Sequence, residues 1–361
     1  MSFIFFNCWK LYNLDLSNFI KNNDTIIHNM FNGDYFKENP QYLKFKYTLT
    51  TKSSNADNLF NFEVFIGLKD RKEYIIYQNK YNNNLDIMDI YDKKIIISLK
   101  GHNNQINVLR YFIKDTNEDF LLSCDEIKWI IIWDIQNNYN IKYKLKSENY
   151  SVGFIIYDAL LLFNIFNKDY ILLSNDKINE YSELYEFTDN KPFIKNIDNT
   201  NNNMTKFLIL WIYNNKYYII ECCWGKISIN NIFENENYAS LSLKNRGNHF
   251  SGFQYNDNYL CVGDYLYDNI TMWDLVNKTI YKQIKYDAKR GYEIIPWNNK
   301  YTIIGCDGYF VIIDIEEGKM IKKINSNKVK ILRGLKKIKM NNLGECLIGS
   351  GDGNIIELFS I

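Results

Sequence analysis

Residues 99–135 read LKGHNNQINVLRYFIKDTNEDFLLSCDEIKWIIIWDI, and this unit is the clearest repeat in the chain. A Gly-His pair at 101–102 precedes an alternating run from Ile106, then a second apolar run, then a third run that closes on Trp133-Asp134. Alternation with a period of two is typical of β-strands, and the polar residues between the runs are typical of turns. The stretch therefore predicts three successive strands in one antiparallel unit.

The closing pattern of this unit, an apolar strand that ends on an acidic residue, on Asn or once on Ser, recurs along the chain. It appears as IMDI at 87–90, IIWDI at 131–135, ELYEF at 183–187, SINNI at 228–232, TMWDL at 271–275, VIIDI at 311–315 and IELFS at 356–360. The closing residues stand at 89, 134, 186, 231, 274, 314 and 360, between 40 and 52 residues apart. Repeats of about 40–45 residues are typical of four-stranded propeller blades. The sequence therefore predicts an all-β fold, a single seven-bladed β-propeller of four-stranded antiparallel blades.

The unit at 99–135 resembles a repeat of the WD-repeat family, and the regular spacing extends the resemblance over roughly residues 44–361. The second blade matches best, the fifth keeps part of the pattern, and the other blades replace the Trp-Asp pair. In that family a His, a Ser, an Asp and a Trp form a hydrogen-bonded set that links the strands of a blade. The resemblance therefore implies a structural role for His102, Ser123, Asp125, Trp133, Asp264 and Trp273.

The seventh blade receives only three strands from the end of the sequence. An incomplete blade would leave open sheet edges, which soluble proteins avoid. The alternating KFKYTLT at 44–50 precedes the first strand of blade one and is free to act as the outer strand of the last blade. We therefore expect an N-terminal strand that closes the ring, as in many WD-repeat propellers, with a propeller over 44–361 and an N-terminal extension over 1–43.

Six of the seven cysteines occupy one repeat position, in the strand that precedes each closure. They are Cys124, Cys222, Cys223, Cys261, Cys306 and Cys346. None of the cysteines forms a C-x-x-C pair, and a small, weakly polar side chain suits the narrow strands near a propeller axis. We expect reduced, buried thiols and a cytoplasmic protein.

The sequence offers little catalytic chemistry. Its three histidines lie at no metal-ligand spacing, and it has no G-x-x-x-x-G-K-[ST] phosphate loop. No apolar run reaches the roughly 18–20 residues of a membrane span. The 43 basic and 42 acidic residues give a net charge of +1, which argues against a nucleic-acid partner. We expect a non-enzymatic protein without a metal or a cofactor.

One candidate for recognition is a rim of the central channel. Turns between second and third strands, together with the loops that enter the first strands, should form this rim, and exposed aromatic residues on loops often anchor protein interfaces. The predicted rim residues are Asn104, Gln105, Glu126, Trp224, Tyr265, Tyr267 and Tyr309. The alternative is that these aromatic residues only pack over the channel mouth.

The other candidate is a basic stretch between Gly318 and Met340 that contains no acidic residue. It consists of Lys319, Lys322, Lys323, Lys328, Lys330, Arg333, Lys336, Lys337 and Lys339. Such a patch suits an acidic protein tail, a phosphoinositide headgroup or an RNA backbone. A sheet edge that lysines protect from aggregation is the structural alternative.

Together these observations predict a scaffold that binds one or more protein partners in a cytoplasmic or cytoskeletal assembly. The alternative function is a peripheral anion-binding propeller that uses the basic stretch on a phosphoinositide membrane or on RNA, and membrane contact is expected only through that stretch.

Overall fold

The computed structural model describes residues 40, 43–50, 62–79, 81–114, 118–147, 156–175, 182–187, 193–197, 205–223, 225–234, 236–242, 249–264, 268–288, 290–351 and 355–360. Within these residues the chain forms β-strands and no α-helix. The strands form seven four-stranded antiparallel sheets, which confirms the predicted seven-bladed β-propeller.

The first four blades follow one another along the chain. Blade one contains β2 (Phe62–Ile66), β3 (Glu73–Gln78), β4 (Leu85–Asp89) and β5 (Lys94–Leu99). Blade two contains β6 (Ile106–Ile113), β7 (Asp119–Asp125), β8 (Trp129–Asp134) and β9 (Asn140–Lys146). Blade three contains β10 (Ile156–Ile165), β11 (Lys168–Asn175), β12 (Ser182–Glu186) and β13 (Phe193–Ile197). Blade four contains β14 (Thr205–Tyr213), β15 (Lys216–Cys223), β16 (Lys226–Asn231) and β17 (Asn237–Ser242).

The last three blades continue the series, and the seventh combines both ends of the described chain. Blade five contains β18 (His249–Gln254), β19 (Tyr259–Asp264), β20 (Asn269–Asp274) and β21 (Thr279–Lys285). Blade six contains β22 (Glu293–Pro296), β23 (Tyr301–Gly305), β24 (Tyr309–Asp314) and β25 (Lys319–Asn325). Blade seven contains β26 (Leu332–Met340), β27 (Gly344–Gly351), β28 (Ile355–Ser360) and β1 (Lys44–Thr50).

The ring closes where the first and last blades meet. The first strand of each blade contacts the first strands of both neighbours, and β26 of blade seven contacts β2 of blade one. The strand β1 pairs antiparallel with β28, from Lys44 opposite Ser360 to Thr50 opposite Ile355. The predicted closure by an N-terminal strand is therefore confirmed.

The seven predicted closing residues are each the last residue of a third strand, or of β28 in blade seven. In most blades this side chain accepts hydrogen bonds from the turn that follows. Asp274 Oδ1, for example, accepts from the backbone N–H groups of Val276 (3.0 Å) and Asn277 (2.8 Å). Asn231 Oδ1 accepts from Phe233 and Glu234, both at 2.9 Å. An Asp or Asn side chain that satisfies turn N–H groups explains why these residues recur even where the Trp is lost.

The core is divided among the seams between neighbouring blades. Seven apolar clusters fill the seven seams, each with residues from two adjacent sheets. Each sheet therefore buries both of its faces, as the continuous apolar runs of the second and third strands require. The cysteines whose side chains the structure describes, Cys124, Cys222, Cys261, Cys306 and Cys346, are unpaired thiols buried in these clusters.

Removal of the last twelve residues should prevent cooperative folding. The deletion takes away β28, which pairs with both β27 and β1, and its buried Ile356, Leu358 and Phe359. These three side chains contribute about 1.5–3 kcal/mol each through burial, a sum comparable with the whole stability of an ordinary domain. We expect circular dichroism to show no cooperative thermal transition.

The control is Leu358→Ala in the full chain, which should melt cooperatively at a lower temperature. A cooperative, wild-type-like melt of the truncated chain would show that β28 does not close the ring.

Candidate functional site

The four residues predicted to link the strands of blade two are in contact. The Nδ1–H of His102 donates to Asp125 Oδ2 at 3.0 Å, because a carboxylate can only accept, and Nε2 then accepts from the Ser123 hydroxyl at 2.7 Å. The indole N–H of Trp133 donates to Ser123 Oγ at 2.9 Å. All four side chains are buried. The set connects the loop before β6 to β7 and β8, so its role in this structure is to hold the blade together.

Blade five keeps only part of this arrangement. Asp264 and Trp273 are buried at the expected places, but the position that corresponds to Ser123 is Val262. A valine offers no acceptor, and the indole nitrogen of Trp273 has no hydrogen-bond partner among the described residues. The hydrogen-bonded set implied by the resemblance is therefore incomplete in this blade.

Replacement of Ser123 by Ala should destabilise the protein strongly. The change leaves the buried His102 Nε2 and the Trp133 indole N–H without their partner, at about 1–3 kcal/mol for each group. We expect a loss of about 2–4 kcal/mol in urea unfolding. Ser242→Ala, at an exposed position of β17, is the matched control and should change stability by less than about 0.5 kcal/mol. Equal effects of the two variants would contradict a structural role for the set.

The predicted rim lies at the face of the ring where the first strands begin, which we call the entry face. Its half-buried members in blade two serve the fold through their backbone. Gln78 of blade one donates to the carbonyl of Asn104 (3.3 Å) and accepts from the N–H of Ile106 (2.9 Å). The N–H of Glu126 donates to the carbonyl of Gln105 at 2.9 Å, and the Glu126 side chain is exposed. Gln78, which the sequence did not single out, therefore joins blades one and two at this rim.

The aromatic members of the predicted rim are placed differently from expectation or lie outside the description. Tyr309 is only 9% exposed and packs in the cluster between blades five and six. The ammonium of Lys323 lies 3.4 Å from the centre of its ring. Tyr309 is thus a core residue and not an exposed anchor, because the seam needs a large side chain there. Trp224, Tyr265 and Tyr267 lie outside the described residues, so their role stays a prediction.

The basic stretch does not form one patch. Lys319, Lys322 and Lys323 are exposed on β25, the outer strand of blade six, and Lys319 pairs with Glu317. Lys328 and Lys330 are exposed in the connection to blade seven, and Lys339 is exposed near the end of β26. Arg333, half-buried on the same strand, lies 5.4 Å from the ring centre of Tyr292.

Two lysines of the stretch are neutralised inside the structure. Lys336 Nζ lies 3.3 Å from Glu63 Oε2, and Lys337 Nζ lies 2.6 Å from Glu345 Oε2. The side chains of both pairs are largely buried. The Lys336–Glu63 pair joins β26 to β2 at the closing seam, so this lysine serves closure. The expected single basic surface is therefore corrected to scattered groups, because alternation along β26 sends its lysines in different directions.

A surface that the sequence did not single out lies on the opposite face, where the first strands end, which we call the exit face. Phe166, in the turn between β10 and β11, is 64% exposed. Its ring centre lies 5.5 Å from that of Tyr217 and 5.1 Å from that of Phe233, both in blade four. Tyr170 lies beneath, 5.3 Å from Phe233. These four side chains, the exit-face aromatic cluster, cross the seam between blades three and four and present Phe166 to solvent.

The backbone at Phe166 breaks a local rule. Phe166 and Asn167 have φ values of 50° and 61°, and Ile165 pairs with Lys168, so the two residues form a two-residue hairpin turn of type I′. Such turns favour Asn, Asp and Gly, and a bulky residue in the left-handed region is an outlier. The corresponding turn of blade four contains Asn214 and Asn215, with φ values of 49° and 58°. The alignment of IFNK with YNNK was the available sequence signal.

Charged side chains surround the aromatic cluster in ion pairs. Lys168 Nζ lies 2.9 Å from Glu186 Oε2, and Lys216 Nζ lies 2.6 Å from Glu234 Oε2 and 3.7 Å from Glu236 Oε2. Three carboxylates thus face two ammonium groups beside the cluster, which leaves this part of the exit face with an acidic excess.

The same seam holds a buried carboxylate. Glu221 of β15 accepts hydrogen bonds from the Ser182 hydroxyl of blade three and from Asn230 Nδ2 at 2.9 Å. Burial raises the pKa of Glu221 from 4.5 to about 7, although the two hydrogen bonds act in the opposite direction. The stability contributed by neutral Glu221 is fully present below pH 4.5 and is lost as the pH rises through about 7.

Glu221→Gln should therefore flatten the dependence of stability on pH. Between pH 5 and pH 8 the wild type should lose about 3 kcal/mol more than the variant, from about 1.4 kcal/mol per unit of pKa shift. Urea unfolding at both pH values measures the difference. Glu234→Gln, which alters an exposed carboxylate, is the control and should leave the wild-type dependence in place. Parallel pH profiles for wild type and Glu221→Gln would contradict the raised pKa.

Comparisons with known proteins add no relative: no protein-family model matches the chain, and no curated protein matches it. Within the described residues no helix is long and apolar enough to cross a membrane. The same residues contain no group of three or more His, Cys, Asp or Glu side chains arranged to hold a metal ion.

Proposed function

We propose that the chain is a non-enzymatic interaction scaffold, a degenerate propeller of the WD-repeat type that binds a protein partner in a cytoplasmic assembly. The observation that carries the proposal is Phe166, a large apolar side chain held in solvent by a turn that disfavours it. Local rules tend to fail where a residue is kept for function, because the local cost must be offset elsewhere. Contact with a partner is the offset that we propose here.

The exit-face aromatic cluster has the composition of an interface centre. Aromatic side chains supply large contact areas at low entropic cost and are enriched among residues that dominate binding energy. Tyr217 and Phe233 support the ring of Phe166 from below, so little freedom is lost on binding. The ion pairs beside the cluster form a charged rim around an apolar centre, which is the usual anatomy of an interface.

The acidic excess beside the cluster specifies the partner further. A segment with an aliphatic or aromatic pocket for Phe166 and a basic residue beside it would complement both the apolar centre and the carboxylates of Glu234 and Glu236. The proposed partner is therefore a protein surface or segment of this chemistry. The dispersal of the basic stretch, with Lys336 and Lys337 neutralised, gives no comparable support to the anion-binding alternative.

Phe166→Asn should remove partner binding without loss of stability. The variant gives blade three the turn residue that blade four has at Asn214, and relief of the left-handed backbone offsets the lost ring contacts. We expect a melting temperature close to that of the wild type. A photo-crosslinking amino acid at position 166, in the full chain in its native cells, should capture one protein that Phe166→Asn fails to co-purify.

The matched control is Tyr81, which is 75% exposed on the entry face. Tyr81→Asn should retain the partner, and a crosslinker at position 81 should not capture it. Equal recovery of every partner with Phe166→Asn and with wild type would contradict the proposal. Recovery of lipid or RNA in place of a protein would favour the anion-binding alternative.

A further inference from the structure

The outer strand of each blade has a free edge, and the seven edges differ in how they are protected. Unpaired edge N–H and C=O groups invite pairing with another strand, and lysines within the edge strand commonly prevent it. Only β5 (KIIISL) and β17 (NYASLS) lack a lysine beyond their first residue. The other five outer strands carry such lysines: Lys46, Lys142 and Lys144, Lys195, Lys282, and Lys322 with Lys323.

A shared irregularity allows the edges to be compared position by position. Each outer strand has a register shift where it pairs with its neighbour, so that one extra residue is inserted. The inserted residue is Ile96 in β5, Lys142 in β9 and Tyr281 in β21. The bulge is therefore common to all blades and does not distinguish β5. The identity of the side chains does.

The edge of β5 is also apolar. Ile95 is 38% exposed and Ile96 is 48% exposed, and both belong to a run of three isoleucines. In contrast, β17 exposes small side chains, Ser240 and Ser242, and no large hydrophobic residue. β5 is thus the one outer strand that combines an apolar exposed edge with no interior lysine.

We propose that β5 pairs antiparallel with β5 of a second copy of this chain, which joins two blades into one eight-stranded sheet across a two-fold axis at Ile96. In this register Ile95 faces Ile97, and Lys94 faces Ser98, so no lysine faces a lysine. Asp92 of one copy faces Lys100 of the other at both ends of the pair, and both residues are exposed. Opposite charges at facing positions stabilise strand pairs and specify their register.

The charge pattern selects a second copy of the chain as the occupant. An isologous interface must be self-complementary, and the sequence from Asp92 to Lys100 is, since its acidic end meets its basic end. The surface is remote in the fold from the exit-face aromatic cluster, which belongs to blades three and four. The dimer is thus independent of the proposed function, and two copies would leave both aromatic clusters available.

Analytical ultracentrifugation of the full chain over a wide range of concentrations tests the proposal. The wild type should show a reversible monomer–dimer equilibrium. Ile96→Lys installs the lysine that blade two carries at the same position, and it should weaken dimerisation at least about tenfold. Tyr281→Lys makes the same change at the corresponding position of β21, where Tyr281 is 60% exposed, and should leave the equilibrium unchanged.

Charge reversal tests the register. Asp92→Lys and Lys100→Asp should each weaken the dimer about tenfold, and the double variant should restore it. A wild type that remains monomeric at the highest attainable concentration overturns the proposal. A dimer that survives Ile96→Lys, or a double variant no better than the single ones, overturns it as well. Unchanged circular dichroism in all variants ensures that a lost dimer does not reflect a lost fold.

Discussion

Closure of the ring is the constraint on which the rest of the structure depends. Each blade is a twisted sheet with two apolar faces, and neither face is covered unless a neighbouring blade stands on each side. The last seam is therefore as necessary as the other six, although it must join residues from opposite ends of the sequence. Pairing of β1 with β28 completes the sheet of blade seven. The buried Lys336–Glu63 pair and the surrounding apolar cluster join that blade to the first.

Once every seam is filled, individual blades can lose their internal hydrogen bonds. Blade two has the full set around Ser123, whereas blade five has a valine at that position and leaves the Trp273 indole without an acceptor. Blade three instead uses Asp158, which accepts from Arg110 of blade two at 2.8 Å and from the N–H of Leu208 of blade four at 2.9 Å. Polar contacts between blades have replaced those within them. The repeat pattern can therefore degenerate while the ring persists.

The features that could be predicted from the sequence are those that the repeat imposes. The closing residues, the cysteine position and the N-terminal strand all follow from a period shared by seven blades, so each blade corroborates the others. The failures concern single side chains. Tyr309 was expected on the rim and lies in a seam, and Lys336 was expected on a patch and lies in an ion pair. Alternation along a strand fixes only which side chains share a face, and the neighbouring blade determines whether that face is buried.

Comparison among the blades of one chain also shows where a residue serves more than the fold. Seven copies of one structural problem have been solved in one molecule, so a blade that departs from its neighbours at an equivalent position is informative. Asn214 and Asn215 show what the turn of blade four requires, and Phe166 departs from it. Lys142 shows what an outer edge requires, and Ile96 departs from it. Both departures expose large apolar side chains, which packing within the ring does not require. We therefore argue that contacts outside the ring account for them.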